Sequence, residues 1–368
     1  MTEQRIARLR EQLDKHKLDA VFVSSPENAS PVNRRYLSGF TGTSGYLLVT
    51  KDDALIATDF RYYEQAEQQA TAFRLHRSVG AMDKWLPAML EGLGGKRLAF
   101  ESSQVSYQLF RTVRKIVQDL PEDARPKLVA TTNLIEGLRV IKDAAEIAAL
   151  QAAITLGDEA FADVAQRVEP GWTEKQVAWE IEKYIREHDA ESLSFDTLVG
   201  AGERGSMPHC FPTERKLKKG EGVVIDMGVT LNGYMSDLTR TIFLGKPNDE
   251  FKRVYDIVLA AQQTAQELVE EGMTGEQAHM LAANVIGEAG HGEHFGHGLG
   301  HGVGLQIHEA PRLGPTSKDK LLEGMVFTIE PGIYLTGWGG VRIEDVVVLE
   351  SGKARLLSHA PKLTTAAA

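Results

Sequence analysis

Residues 223–241 read VVIDMGVTLNGYMSDLTRT, and the fold turns on how they pair. Asn232-Gly233 is the strongest short hairpin signal, a two-residue type I′ turn between strand-forming runs. With the turn there, Leu231 pairs with Tyr234, Gly228 with Asp237 and Asp226 with Thr239. Side chains alternate along a strand, so Asp226, Asp237 and Thr239 project from one face. The two acids become diagonal neighbours about 7–8 Å apart, and Gly228, opposite Asp237, leaves space for something small. Carboxylates that close repel unless a proton or cation lies between them. Acids on the wet face of a hairpin need no such partner, but VVID is otherwise apolar, and burying Asp226 would be costly.

The anomaly recurs in residues 325–349, MVFTIEPGIYLTGWGGVRIEDVVVL, where FTIE ends at Glu330 and VRIED carries Glu344 and Asp345. Each hairpin follows a helical passage opened by a capping box, Thr173 with Gln176 and Thr274 with Gln277. Gly171 and Gly272, and Phe195 and Phe295, keep the same offset of about a hundred residues, which predicts two related helix-plus-hairpin halves. A site between the hairpins would collect acids from both. Four carboxylates beside an imidazole make a hard, oxygen-rich site suited to Mn²⁺ or Mg²⁺, with Co²⁺, Fe²⁺ and Zn²⁺ also possible. Their charge calls for about two divalent cations, a pair able to hold a hydroxide and polarise a carbonyl.

The imidazoles are concentrated in residues 290–309, GHGEHFGHGLGHGVGLQIHE, which hold His291, His294, His297, His301 and His308. Histidine-rich tracts suggest metal, and the intervening glycines would let the backbone approach a ligand. Upstream, DAVFVSS, GYLLVT and ALIATD read as strands between the helices QRIARLREQLDKHKL, with Ile6, Leu9 and Leu13 on one face, and SYQLFRTVRKIVQDL. The chain is therefore expected to be α+β. An α/β N-terminal domain spans 1–134, a catalytic domain 135–360 and a flexible tail 361–368.

A formal charge of −10 argues against a nucleic-acid or anionic-membrane partner. No apolar stretch follows MTEQRIARLR, and none nears the roughly 18 residues of a membrane span. The single cysteine, Cys210, excludes an internal disulfide, in keeping with a cytoplasmic protein. A small buried filler is the more ordinary role for that thiol.

Asp226, Asp237, His301, Glu330 and Glu344, within GYMSDLTRT, GHGLGHGVGLQIHE, EPGIY and GVRIED, resemble the Xaa-Pro peptidases. These form the aminopeptidase P and prolidase branch of the pita-bread metallopeptidases. RYLSGFTGTSGYLLV and TDFRYYEQA are similar to the creatinase-type N-terminal domain of the smaller bacterial members. The resemblance implies a pita-bread catalytic domain with twofold pseudosymmetry and a homodimer. It also implies two metal ions, expected to be Mn²⁺, with a bridging hydroxide as nucleophile. Asp226 would chelate the first ion, Asp237 and Glu344 would bridge both, and His301 and Glu330 would complete the second. Glu330 is the expected proton acceptor, while His209, His297 and His308 would contact substrate or the tetrahedral oxyanion. Arg342 would orient a carboxylate or substrate terminus. His291 and His294 match no catalytic position and read as surface or structural residues.

The implied reaction is hydrolysis of the Xaa-Pro bond at the N-terminus of proline-containing peptides. The N-domain's likeness to small bacterial forms favours aminopeptidase P. Arg312, placed to meet a dipeptide's free carboxylate, favours the alternative, prolidase. A metal-free creatinase-like hydrolase would lack the acid cage that stands here, and non-enzymatic relatives have lost ligands and gained basic extensions. Two stretches depart from the family. Extra residues near Ala29–Asn33 would lengthen an N-domain loop able to reach a partner's active site, and HCFPT places Cys210 where glycine is commoner.

Overall fold

The computed structural model describes residues 2–362 and 365–366, in two compact units, Met1–Arg139 and Val140–Ala368. The first unit opens with α1 (Thr2–Lys15), whose apolar face buries Ile6, Leu9 and Leu13 as its periodicity requires. The strands β1 (Ala20–Ser25), β2 (Gly45–Thr50), β3 (Ala54–Thr58), β4 (Arg74–Arg77), β5 (Arg97–Glu101) and β6 (Lys127–Thr131) form one mixed sheet. Its order is β4-β3-β2-β1-β5-β6, antiparallel at β1–β2 and β2–β3 and parallel elsewhere. The connecting helices are α2 (Val32–Ser38), α3 (Tyr63–Gln69), α4 (Met82–Met89), α5 (Tyr107–Asp119) and α6 (Glu136–Arg139). Trp85 and Leu86 of α4 and Val113, Ile116 and Val117 of α5 pack on Phe22, Leu48 and Leu98 of the sheet.

The extra residues near Ala29–Asn33 do more than lengthen a loop. Their last member, Asn33, is buried in α2. Its amide donates to Glu101 at 2.5 Å and Glu136 at 2.9 Å, and its carbonyl accepts from Arg139 at 2.7 Å. Burial, and then the neighbouring Glu136, push Glu101 up to about 8. A carboxyl raised in the folded state stabilises the fold while it holds its proton. That stability is complete below the ordinary value of 4.5 and lost as pH rises through about 8. In urea titrations, Glu101→Gln is expected to flatten the pH dependence of the N-terminal unit across that window and to exceed the wild type in stability above it. Parallel slopes for the two proteins would contradict this.

In the second unit, α7 (Ala144–Arg167) and α8 (Glu174–Glu187) precede one set of strands, and α9 (Asp249–Leu268) and α10 (Gly275–Glu288) the other. The first set is β7 (Ser192–Leu193), β8 (Leu198–Ala201), β9 (Gly222–Met227), β10 (Val229–Leu231), β11 (Tyr234–Met235) and β12 (Leu238–Leu244). The second is β13 (Gly300–Gly302), β14 (Glu309–Leu313), β15 (Val326–Ile329), β16 (Gly332–Leu335), β17 (Gly339–Arg342), β18 (Asp345–Glu350) and β19 (Lys353–Leu356). Both capping boxes form, with Thr173 and Thr274 accepting from the backbone of Gln176 and Gln277. Each half has its own apolar core, Phe161, Ile181 and Ile225 in one and Tyr255, Ile286 and Phe327 in the other. Residues 363, 364, 367 and 368 of the expected tail lie outside the described residues. Within it, Lys362 pairs with Asp345 at 2.7 Å and β20 (Thr365–Ala366) runs parallel to Phe243–Leu244. Among the described residues, no helix is long and apolar enough to cross a membrane.

Both long hairpins keep the register their turns dictate. Leu231 faces Tyr234 and Asp226 faces Thr239, with Asn232 and Gly233 at φ +52° and +79° as a type I′ turn requires. The second pairs Ile329 with Asp345 and, beyond a gap, Gly332 with Arg342, so Glu330 and Glu344 fall opposite each other. The halves are joined where Glu344 N–H donates to the Thr239 carbonyl and Thr241 Oγ1 to that of Arg342.

Three of the glycines expected to leave room for a ligand do not. A Cβ on Gly228 would lie 2.3 Å from the Ser236 carbonyl, and one on Gly300 or Gly302 would strike the carbonyl of Thr328 or Ala310 at about the same distance. Glycine is required there because neighbouring backbone already fills the space.

Candidate metal centre

The acids of both hairpins converge on His301. Its Nε2 lies 3.5 Å from Asp237 Oδ2 and 3.4 Å from Glu330 Oε1, and ligand atoms of Asp237, His301 and Glu344 all fall within 4.8 Å of one another. Asp237 and Glu344 are 5% and 2% exposed, and the buried Arg342 pairs its fixed positive charge with Asp226. Burial, then the charges of Glu344, Asp226 and Glu330, push Asp237 well above the usual carboxylate range. Burial followed by Glu330 and Asp226 does the same to Glu344. Asp226 is raised by burial although Arg342 opposes the shift, and Glu330 is pushed up to about 7, again by burial. So many acids in a dry site are self-consistent only with protons or cations among them.

The donor chemistry favours cations. His301 Nδ1 faces the Gly302 carbonyl at 3.1 Å, so it carries the ring proton and leaves a lone pair on Nε2 aimed at two carboxylate oxygens. Burial holds that imidazole down to about 4, keeping it neutral. Asp226 Oδ1 is buried and has no hydrogen-bond partner among the described residues. A lone pair facing oxygens and an orphaned carboxylate oxygen are both what a bound divalent ion relieves. The residues present therefore fit the group.

Three uncharged side chains hold the acids and Arg342 in place: Thr239, which the hairpin register put on the face of Asp226 and Asp237, and Thr328 and Tyr334, which the sequence reading missed. Thr239 donates to Glu344 Oε2 at 2.7 Å and accepts from Arg342 Nε at 3.0 Å. Thr328 donates to Glu330 at 3.2 Å and accepts from the His301 N–H at 3.1 Å. Both threonines stand two residues from an acid that adjoins the end of their strand, so period-two alternation was the available signal. Tyr334 accepts from Arg342 at 2.8 Å and donates to His297 Nε2 at 3.0 Å, while His297 Nδ1 donates to Gly298 O at 2.8 Å.

Arg342 is 4% exposed and spends its donors inside the protein, on Asp226 at 2.6 Å, Tyr334, Thr239 and the Pro208 carbonyl. The carboxylate it orients here is Asp226. The bond to Pro208 also fixes the segment carrying His209, which is exposed and near enough for its charge to act on Asp226, His297 and His308. His308 is exposed, with its ring edge-on to His301 at 4.2 Å. Arg312 is exposed and pairs with His301 across the β13–β14 ladder.

Asp345 belongs to a separate network. Fully buried, it faces the opposite way, to Arg240 at 2.6 Å, Lys362 at 2.7 Å and the amides of Gln262 and Gln266. His291 and His294 pair rings at 5.5 Å in the turn after α10 and supply no atom to the cluster. Cys210 is buried, and burial pushes its thiol up, away from a reactive thiolate.

The pattern defining metallopeptidase family M24 matches residues 148–351, and that of the creatinase/prolidase N-terminal domain matches residues 5–141. The chain belongs to metallopeptidase family M24. Family membership implies divalent metal ions, and the acids around His301 are their candidate site. The chain is 35% identical, over 96% of both sequences, to the Xaa-Pro dipeptidase of Pyrococcus horikoshii. Its fold matches the solved Xaa-Pro dipeptidase from Bacillus anthracis at a TM-score of 0.93, with 36% identity over all of both chains. The X-Pro aminopeptidase of Thermotoga maritima matches at 0.90, with 35% identity over 97% of this chain and all of that one.

Metal binding should register as stability. Adding Mn²⁺ to EDTA-stripped protein at a hundredfold excess over Kd is expected to stabilise the M24 domain by about 2.7 kcal/mol per independent site. Asp237→Asn should abolish most of that gain in thermal unfolding. An unchanged melting curve in the wild type would contradict the assignment.

Proposed function

We propose that this metallopeptidase cleaves the Xaa-Pro bond at the N-terminus of peptides, as an aminopeptidase P-like enzyme with two divalent ions, Mn²⁺ by preference. The observation that carries the reading is the convergence of Asp237, Glu330 and Glu344 on the neutral His301, with Asp226 close enough for its charge to act on Asp237, in a family whose relatives carry the names of Xaa-Pro dipeptidase and X-Pro aminopeptidase. Asp226, Asp237, His301, Glu330 and Glu344 would hold the metal. When bound, it supplies Lewis-acid polarisation of the scissile carbonyl and a water acidified near neutral pH.

The chain's own residues do the rest. Glu330, oriented by Thr328, takes the proton of the attacking water and passes it to the departing nitrogen. That transfer matters at proline, whose acylated nitrogen carries no hydrogen. His209 and His308, exposed at the mouth of the site, hydrogen-bond the substrate and the developing oxyanion. His297, held neutral by burial at about 4, keeps one face toward Tyr334 and packs edge-on against Phe295. The enzyme is proposed to act as a cytoplasmic homodimer without nucleic-acid or membrane partners.

A second reading, Xaa-Pro dipeptidase, is favoured by Arg312, whose exposed guanidinium stands within electrostatic reach of His301 and His308 and suits a dipeptide's carboxylate. The two are separated by comparing Xaa-Pro with Xaa-Pro-Yaa after EDTA stripping and Mn²⁺ readdition. Turnover of the tripeptide supports the aminopeptidase; rapid turnover of dipeptides alone supports the second reading. On the preferred substrate, Glu330→Gln is expected to abolish turnover and His291→Ala to leave it within about threefold, since His291 touches none of the reacting groups. A dead His291→Ala variant would show that the histidine tract had been misassigned.

A further inference from the structure

Lys142 lies at the head of the M24 domain, remote in sequence from every acid of the centre. Its ammonium nonetheless meets Glu309 Oε1 at 2.7 Å, with the two side chains only 1% and 7% exposed. The lysine is itself anchored. Its backbone N–H donates to the Gly324 carbonyl at 2.9 Å, and Ile141 bridges to Met325. Glu309 follows His308 and closes the loop that begins at Gly302, its partner across the β13–β14 ladder after a register shift at His301. The Glu309 carboxylate lies flat against Gly304, where a Cβ would come within 2.4 Å of Oε1. The Gly304 carbonyl in turn accepts from Met235 N–H at 2.8 Å, two residues before Asp237. One buried cation thus fastens the end of the loop that carries His308, and presses its middle against the hairpin that carries Asp237.

We infer that Lys142 is a positioning residue for His308, acting through its buried ion pair with Glu309. The inference rests on the substrate-contacting role of His308 proposed above. A desolvated carboxylate deprived of its cation either takes up a proton or turns toward water. In both cases the 302–309 loop loses its anchor, and the His308 ring loses its fixed place beside His301.

The test uses the Mn²⁺-loaded full chain and a Xaa-Pro-Yaa peptide, with Lys142→Met, His308→Ala, their double variant, and K142M/E309Q. Lys142→Met is expected to lower kcat about tenfold or more while Mn²⁺ affinity stays within about threefold. In the His308→Ala background it should cost no more than about a further twofold, because both changes remove one function. In metal-stripped protein, hydrogen exchange of residues 302–309 should quicken in Lys142→Met while that of 326–349 does not. K142M/E309Q, which removes both charges of the pair, should regain the wild-type melting temperature but not kcat, and it replaces Lys142→Met should that variant not fold. Multiplicative losses, unchanged exchange of the loop, or recovery of kcat together with melting temperature would overturn the inference. Full activity in His308→Ala would instead remove the role of His308 itself, and the inference with it.

Discussion

Everything in the M24 domain is subordinate to one electrostatic constraint: four carboxylates are gathered beside one neutral imidazole in a largely buried site. Asp237 and Glu344 are almost fully buried, and Arg342 offsets a single charge of the four. A protein that only needed to fold would not collect these groups, since apolar residues of the same size would fill the space at lower cost. The cost becomes intelligible when cations complete the site. The same repulsion that raises these acids in their absence then becomes affinity for a divalent ion.

The architecture supplies what that constraint demands. Two helix-plus-hairpin halves each contribute acids from one strand face, and the seam between Thr239, Thr241, Arg342 and Glu344 locks their register. A slip of one residue in either hairpin would turn its acids to the opposite face. That is why the Asn232-Gly233 turn, far from any reacting atom, matters to the chemistry. Around the acids, Thr239, Thr328 and Tyr334 supply directional hydrogen bonds, so the carboxylates are aimed before any ion arrives.

Much of this was legible in the sequence where the physics is local. The hairpin register follows from the turn type, the two related halves from repeated capping boxes, and the proposed ligand set from the resemblance of short motifs. What sequence spacing could not reveal was direction and occupancy. Asp345 adjoins Glu344, yet alternation sends it to Arg240 and Lys362 on the far side. Arg342, expected to orient a carboxylate or a substrate terminus, gives its donors to Asp226, Tyr334 and Thr239, a choice between the two that spacing could not make. Gly228, Gly300 and Gly302 looked like space for a ligand, but neighbouring backbone occupies that space, a tertiary fact no local pattern encodes. Asn33, part of an apparent loop extension, became the hub joining Glu101, Glu136 and Arg139.

The central claim is that the acid cluster exists to hold cations, and equilibrium dialysis of the full chain against Mn²⁺ with metal analysis tests it most directly. The constraint predicts about two tightly bound ions per chain, the number that balances four carboxylates. Fewer than one tightly bound ion per chain would contradict it, and would return the cluster to a set of protonated acids with no catalytic metal.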